Sequence, residues 1–210
     1  MSSRESILAA VLKNQPPASP LPDISTFKGV RQDIVSKYSE TFTGIGGQLF
    51  QAKRFAEISD LVRKNFDTTK RIITTLPELS DSFELLDPEA DPHSFDDVEL
   101  AIIEAELAVA ENGAVWLPEY RMGQRIIPYI CQHFAVVVPT ERIVPTLHEA
   151  YQIIGAGDYG FAAFIGGPSK TADIEQALVL GAHGPISMTV FILDQVTDKN
   201  LTFTPSSENK

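Results

Sequence analysis

The chain has 210 residues, with 17 basic against 28 acidic side chains and a net charge of −11. That length buries one good core, with at most an appended arm, and the acidic balance argues against nucleic acid or an anionic membrane as a partner. A single cysteine, Cys131, rules out an internal disulfide and any cysteine-ligated zinc or iron–sulfur site. The opening MSSRESILAAVLKN lacks the long apolar core of a signal peptide, and no apolar run reaches membrane-spanning length. A soluble cytoplasmic protein without membrane insertion is expected.

Ser2 with Glu5 fits a capping box, and Ile7, Leu8, Val11 and Leu12 form one apolar stripe, so a short helix is expected. Pro16, Pro17, Pro20 and Pro22 then make a stiff linker, which would hold that helix off as an arm. Phe27, Val30, Ile34 and Tyr38 follow helical spacing and predict a second helix, packing on its own domain or against a dimer partner. Residues 1–40 are thus read as an N-terminal helical arm, 41–194 as an α/β domain and 195–210 as a polar tail. FTGIGGQLFQA, from Phe42, reads as a strand interrupted by Gly44, Gly46 and Gly47. Its GIGG is not GxGxxG, so a bulge or turn is expected rather than a phosphate loop. Phe55, Ile58 and Val62 mark a helix, and residues 71–75 and 83–86 are read as strands. The acidic stretch 87–97, with His93 inside it, reads as a solvated loop.

ELAVAENGAVWL, residues 106–117, gives two strands around the turn Asn112-Gly113. Residues 123–131 look helical, with Pro128 set to kink or end the helix, 134–138 form a buried strand, and 145–154 a helix started by Pro145. Phe161, Ala162, Ala163, Phe164 and Ile165 suit a strand covered on both faces. After the break Gly166-Gly167-Pro168-Ser169, Thr171 is the expected N-cap of a helix with Asp173 in its first turn and Ile174, Ala177 and Leu178 on one face. Gly181 would close that helix, and 188–193 would be a second buried strand. The reading is one right-handed βαβ unit. Strands alternating with helices indicate a layered α/β fold with a largely parallel sheet plus a β-hairpin.

GGPSKTADIEQALVLGAHGP, together with AVAENGAVWL and the ERIVP at 141–145, resembles the LUD domain family over roughly residues 42–193. More narrowly it is similar to the lactate utilization protein C (LutC/YkgG) group. The resemblance implies a fold like that of the NagB/RpiA/CoA-transferase group. It also implies a part in oxidising L-lactate to pyruvate, beside two partner proteins that carry the iron–sulfur clusters. The single cysteine agrees with that division, and no cofactor is expected on this chain itself. Family members often carry a Gly/Ser-rich loop after the hairpin, where this chain has Pro118-Glu119-Tyr120-Arg121-Met122.

Four places are candidates for chemistry. In the turn at 166–171, Gly166 and Gly167 would let a ligand approach the backbone, and Ser169, Lys170, Thr171 and Asp173 lie at the expected helix start, suited to a small carboxylate or phosphate at the carboxyl end of a strand. Glu111, in AENG, sits where coenzyme A transferases of the related fold carry a nucleophilic glutamate; a solvated turn residue is the alternative. His183, in GAHGP, is a proton-transfer candidate or a structural histidine. A ten-residue helix, about 15 Å long, would separate it from Ser169. Arg121 and Arg125, four residues apart, would share a helical face and hold an anion. His133 and His148 show no histidine or carboxylate at ligand spacing, so no metal site is expected. The resulting reading is an accessory, non-metal subunit of an iron–sulfur lactate-oxidising system that binds a small anion. A stand-alone enzyme using Glu111 on an acyl or phosphorylated compound, or a ligand-sensing regulator, are the alternatives. The arm would suit a homodimer.

Overall fold

Apolar runs too short for a helix fill the middle of the chain, and burying them on both faces builds a parallel sheet. The computed structural model describes residues 2–17, 19–157, 159–172 and 178–194. In chain order they form helix α1 (Ser3–Lys13), helix α2 (Ile34–Gly44), strand β1 (Gln48–Ala52), helix α3 (Phe55–Asn65), and strands β2 (Arg71–Thr74), β3 (Glu84–Leu85) and β4 (Val98–Glu104). Strands β5 (Leu107–Val109) and β6 (Val115–Pro118) follow, then two single-turn helices, α4 (Glu119–Met122) and α5 (Ile127–Ile130). Next come β7 (His133–Pro139), β8 (Ile143–Val144), helix α6 (Leu147–Ile154), β9 (Ala162–Ile165), β10 (Lys170–Ala172), β11 (Leu178–Leu180) and β12 (Ser187–Leu193).

Strands β1, β12, β7, β4, β2 and β3 lie side by side in that order, all parallel. Side chains alternate between the faces. Phe134, Val136, Met188 and Val190 face α2, the segment with α4 and α5, and a second sheet ordered β8-β5-β6-β9. Ala135, Val137, Phe191 and Leu193 face α3 and the turn at 77–79. The layered α/β fold read from the sequence is the one adopted. The hairpin is also as read, with Leu107 opposite Trp116.

Other elements differ from the sequence reading. Ser2 and Glu5 do form the capping box of α1, but the second helix starts only at Ile34, and residues 24–33 run as a non-helical strap along α6. Phe27 stacks on His148 at 5.4 Å and Arg31 pairs with Glu149 at 2.7 Å. Helix α2 continues through Phe42 to Gly44, where a strand was expected, because Tyr38 and Phe42, one turn apart, stack at 5.7 Å in the core. The helix expected over 123–131 is reduced to α5, since Gly123 takes a φ of +72° and Pro128 can enter only a first turn. Strand β4, which sits between β7 and β2, has no counterpart in the reading at all.

The largest correction concerns residues 161–193. The two strands read as one βαβ unit lie in different sheets. Strand β9 is half-buried, lies at the edge of the second sheet and runs antiparallel to β6, whereas β12 lies between β1 and β7. Thr171, the expected N-cap, pairs with Val179 in the antiparallel β10–β11 hairpin, and the Gly181 N–H donates to Ser169 O at 3.0 Å to close it. Asp173, Ile174 and Ala177 lie outside the described residues, as does the tail 195–210.

Two stability measurements test this packing. Truncating Phe42, fully buried beneath Gly47, is expected to lower unfolding stability by about 3–5 kcal/mol in urea melts. Thr189 is fully buried and its hydroxyl has no partner among the described residues. Thr189→Val keeps the shape, removes the stranded hydroxyl, and is expected to raise stability by about 1 kcal/mol in the same assay.

Candidate ligand pocket

Three glycine turns meet around one side chain, Ile45. The first follows α2 at 44–47, the second is Asn112-Gly113 between β5 and β6, and the third is 166–169 after β9. A Cβ on Gly113, whose φ is +74°, would lie 3.0 Å from Ile45 Cδ1. One on Gly167, at φ +81°, would lie 3.1 Å from Ile45 O. Only glycine accommodates both the conformation and the approach. Lys170 Nζ donates to Ile45 O and fastens the third turn to the first. GIGG is therefore a seat for two other turns.

The β10–β11 hairpin then reverses the chain instead of carrying it across the sheet. Ser169 N–H donates to Pro185 O at 2.9 Å, and a Cβ on Gly184 would lie 3.3 Å from Ser169 Cβ. Gly167, Ser169, His183 and Gly184 thereby line one pocket of about 200 Å³ with Tyr129, Phe134, Ile165 and Met188. The expected separation of His183 from Ser169 vanishes with the helix that was to impose it. Phe134 and Met188 are the second residues of β7 and β12, so the pocket opens at the amino ends of the main strands, opposite to the carboxyl-end location expected for this turn. Its floor is apolar, while the Ser169 hydroxyl and the His183 imidazole supply donors and acceptors at its rim. Burial raises the Tyr129 phenol above its ordinary value and keeps it a neutral hydroxyl. The arrangement suits a small molecule with an apolar body and one polar group.

The other candidates fall elsewhere. Gly166 packs beside Ala114, and Lys170 and Thr171 are taken up by Ile45 and Val179 respectively. Glu111 Oε2 accepts from the Leu147 N–H at 2.8 Å, at the start of α6, where Thr146 Oγ1 also caps the Glu149 N–H. A carboxylate there answers the orphan donors and the dipole of the helix. Arg121 and Arg125 share no helical face, because α4 ends at Met122. Arg121 lies between Glu104 and Glu106, with Nε 2.9 Å from Glu106 Oε2, while Arg142 adds a 3.3 Å contact to Glu104. Burial works against its charge, but the two carboxylates outweigh that and raise its pKa. Arg125 holds Glu119 through two bonds of 2.6 and 2.9 Å, which draws the Glu119 carboxyl below its usual range. Neither guanidinium is left waiting for an anion.

One polar cluster escaped sequence reasoning. His133 Nδ1 lies 2.6 Å from Ser187 Oγ, its Nε2 is 3.6 Å from Glu99 Oε1, and Lys70 reaches Glu99 Oε2 at 2.9 Å. The sequence reading named no such neighbour for His133. Glu99 arrives on β4, a strand the reading missed, so no signal linked the two residues. The cluster lies on the α3 face, with the Phe66 ring edge-on to His133 at 5.5 Å. Burial lowers the His133 pKa from 6.5, with Glu99 opposing and Lys70 assisting the shift. The unfolded chain therefore takes up this proton first as pH falls, and stability drops below pH 6.5 towards the lower folded value. Urea midpoints measured from pH 7 to pH 5 are expected to fall less steeply in His133→Gln than in the parent chain.

The fold and the family can now be placed. A protein of the DUF162 family from Deinococcus radiodurans, whose crystal structure was determined at 1.70 Å, superposes with a TM-score of 0.59 at 19% identity, over 78% of this chain and 98% of that one. At that identity the likeness is one of fold. The lactate utilization protein C of Oceanobacillus iheyensis is 30% identical over 96 residues, 43% of this chain and 41% of the relative. That of Anoxybacillus flavithermus is 34% identical over 90 residues, 42% and 41% of the two chains. That of Shouchella clausii is 29% identical over 121 residues, 54% and 53%. The match thus spans about half the length of these relatives or less. Residues 86–193, from the start of the acidic loop to the last strand of the main sheet, match the LUD domain, and the chain belongs to the LUD domain family.

Proposed function

We propose that this chain is an accessory, metal-free component of a lactate utilisation system, in which two partner proteins carry the iron–sulfur clusters that take electrons from L-lactate on its way to pyruvate. The similarity to proteins named lactate utilization protein C supports the pathway. The single buried cysteine supports a role without a cluster of its own. The observation that carries the ligand reading is the convergence of Gly167, Ser169 and His183 on one small pocket with an apolar floor. A small anion would place its charged group against the Ser169 hydroxyl and His183, and its carbon skeleton against Phe134 and Met188. An acyl-transfer role for Glu111 has less support, because its carboxylate is already bonded at the start of α6.

A tagged chain purified without oxygen from lactate-grown native cells tests this reading. Iron, visible absorbance and lactate-dependent dye reduction are expected in the eluate. His183→Gln is expected to cut dye reduction at least tenfold while the iron-bearing partners still co-purify, and Glu111→Gln to leave both unchanged. A colourless, solitary protein overturns the proposal.

A further inference from the structure

Helix α1 is well made and yet, among the described residues, covers nothing. Its capping box is closed at Ser2 and Glu5, and the Asn14 N–H returns to Ala10 O. None of its residues is buried, and Ile7, Leu8, Val11 and Leu12, all on one side, are 61%, 52%, 55% and 71% exposed. An isolated helix shorter than about 12–15 residues is marginal in water, so this stripe calls for a surface.

A matching surface lies on α6. Ile24, Leu147 and Tyr151 frame a groove of about 320 Å³ beside His148 and Gln152. Tyr151 is 57% exposed there. The groove continues the track along which residues 24–33 already pack on α6, through Phe27 on His148 and Arg31 on Glu149. Charge agrees with the pairing. The segment from Ser2 to Asn14 holds Arg4 and Lys13 against Glu5, a net of +1 within a chain of −11, so a second copy offers a basic arm to an acidic body.

The linker decides whose helix fills the groove. Residues 14–23 separate α1 from Ile24, and four of them are proline. Each proline fixes its own φ and holds the residue before it extended. Such a linker reaches about 30 Å at roughly 3.1 Å per residue. The groove, however, begins at Ile24 itself. To enter it, the chain's own α1 would have to double back within the stretch that Pro20 and Pro22 straighten. A helix arriving from another molecule meets no such obstacle. We propose that two copies of this chain exchange arms, the apolar stripe of each α1 lying in the α6 groove of the other. The contact is isologous and closes on itself as a two-fold dimer. It lies apart from the pocket at Ser169 and stands whether or not that pocket binds a ligand.

Light scattering on a sizing column is expected to give a dimer mass for the full chain at micromolar concentration and a monomer mass for a chain lacking residues 1–20. Because α1 buries nothing within its own chain, the shortened chain is expected to keep its circular dichroism and a single cooperative unfolding transition, which separates lost association from lost folding. Leu8→Cys and Gln152→Cys, made in separate chains, mixed and oxidised, should give a covalent heterodimer on a non-reducing gel. The native Cys131 is buried with its thiol pushed up to about 12, and stays silent in that test. A monomeric full chain, a dimer that survives the truncation, or a disulfide that forms only within a chain carrying both cysteines overturns the proposal.

Discussion

The packing of Ile45 against three glycine turns is the constraint on which the candidate pocket depends. Ile45 is placed by α2, which is itself anchored by the stacked rings of Tyr38 and Phe42. The Tyr38 hydroxyl donates to Gly113 O at 3.3 Å, so the same helix also holds the β5–β6 turn. With Gly113 and Gly167 fixed against Ile45, the chain leaves β9 at a set angle, and Lys170 tethers it at the first residue of the hairpin. Ser169 is delivered to His183 by a sequence of close approaches that side chains larger than hydrogen would block.

The two ends of the main sheet are used differently. The strand order places its topological switch between β2, whose chain leads outwards to β3, and β4, whose chain leads the other way to β7. Ligands in open α/β sheets favour the carboxyl ends at such a point. Here that end carries Glu104, Glu106, Arg121 and Arg142 in a network whose charges cancel, and α4 packs over it with Met122 fully buried. Partly buried ion pairs of this kind gain little net stability, but they saturate one another's hydrogen bonds. A ligand would have to break the network to enter. The amino end, by contrast, presents a cavity whose polar groups have no charged partner among the described residues.

The sequence was most readable where a local rule and the tertiary environment agree. Asn112-Gly113 demands a tight turn and the flanking residues form a hairpin; β7 and β12 are continuous apolar runs and are buried as such; Ser2 and Glu5 cap each other without help from the rest of the molecule. The failures have equally physical causes. Residues 170–180 carry the spacing of a helix, but Gly181 at φ +77° and the Ser169–Gly181 bond favour an antiparallel return, and a 3.6-residue period cannot report on either. Strand β4 sits between acidic segments, with Glu99 and Glu104 at its ends, so its charges resemble loop and its burial shows only once β7 and β2 flank it. For the site, the glycines and both polar residues were visible as motifs. Their meeting was not, because it depends on the connection that was misread.

The pocket and the His133 cluster are two sides of one register. Ser187 pairs with His133 and Met188 with Phe134 across β12 and β7. Because successive side chains in a strand point to opposite faces, the first pair meets on the α3 side and the second forms the pocket floor. A slip of β12 by one residue against β7 would turn the Ser187 hydroxyl into the apolar floor and Met188 towards the α3 face. The 2.6 Å contact between His133 and Ser187 opposes that slip, since each side chain satisfies the other only in the observed alignment. A polar pair on the α3 side therefore helps to fix where the apolar floor lies on the opposite face of the sheet.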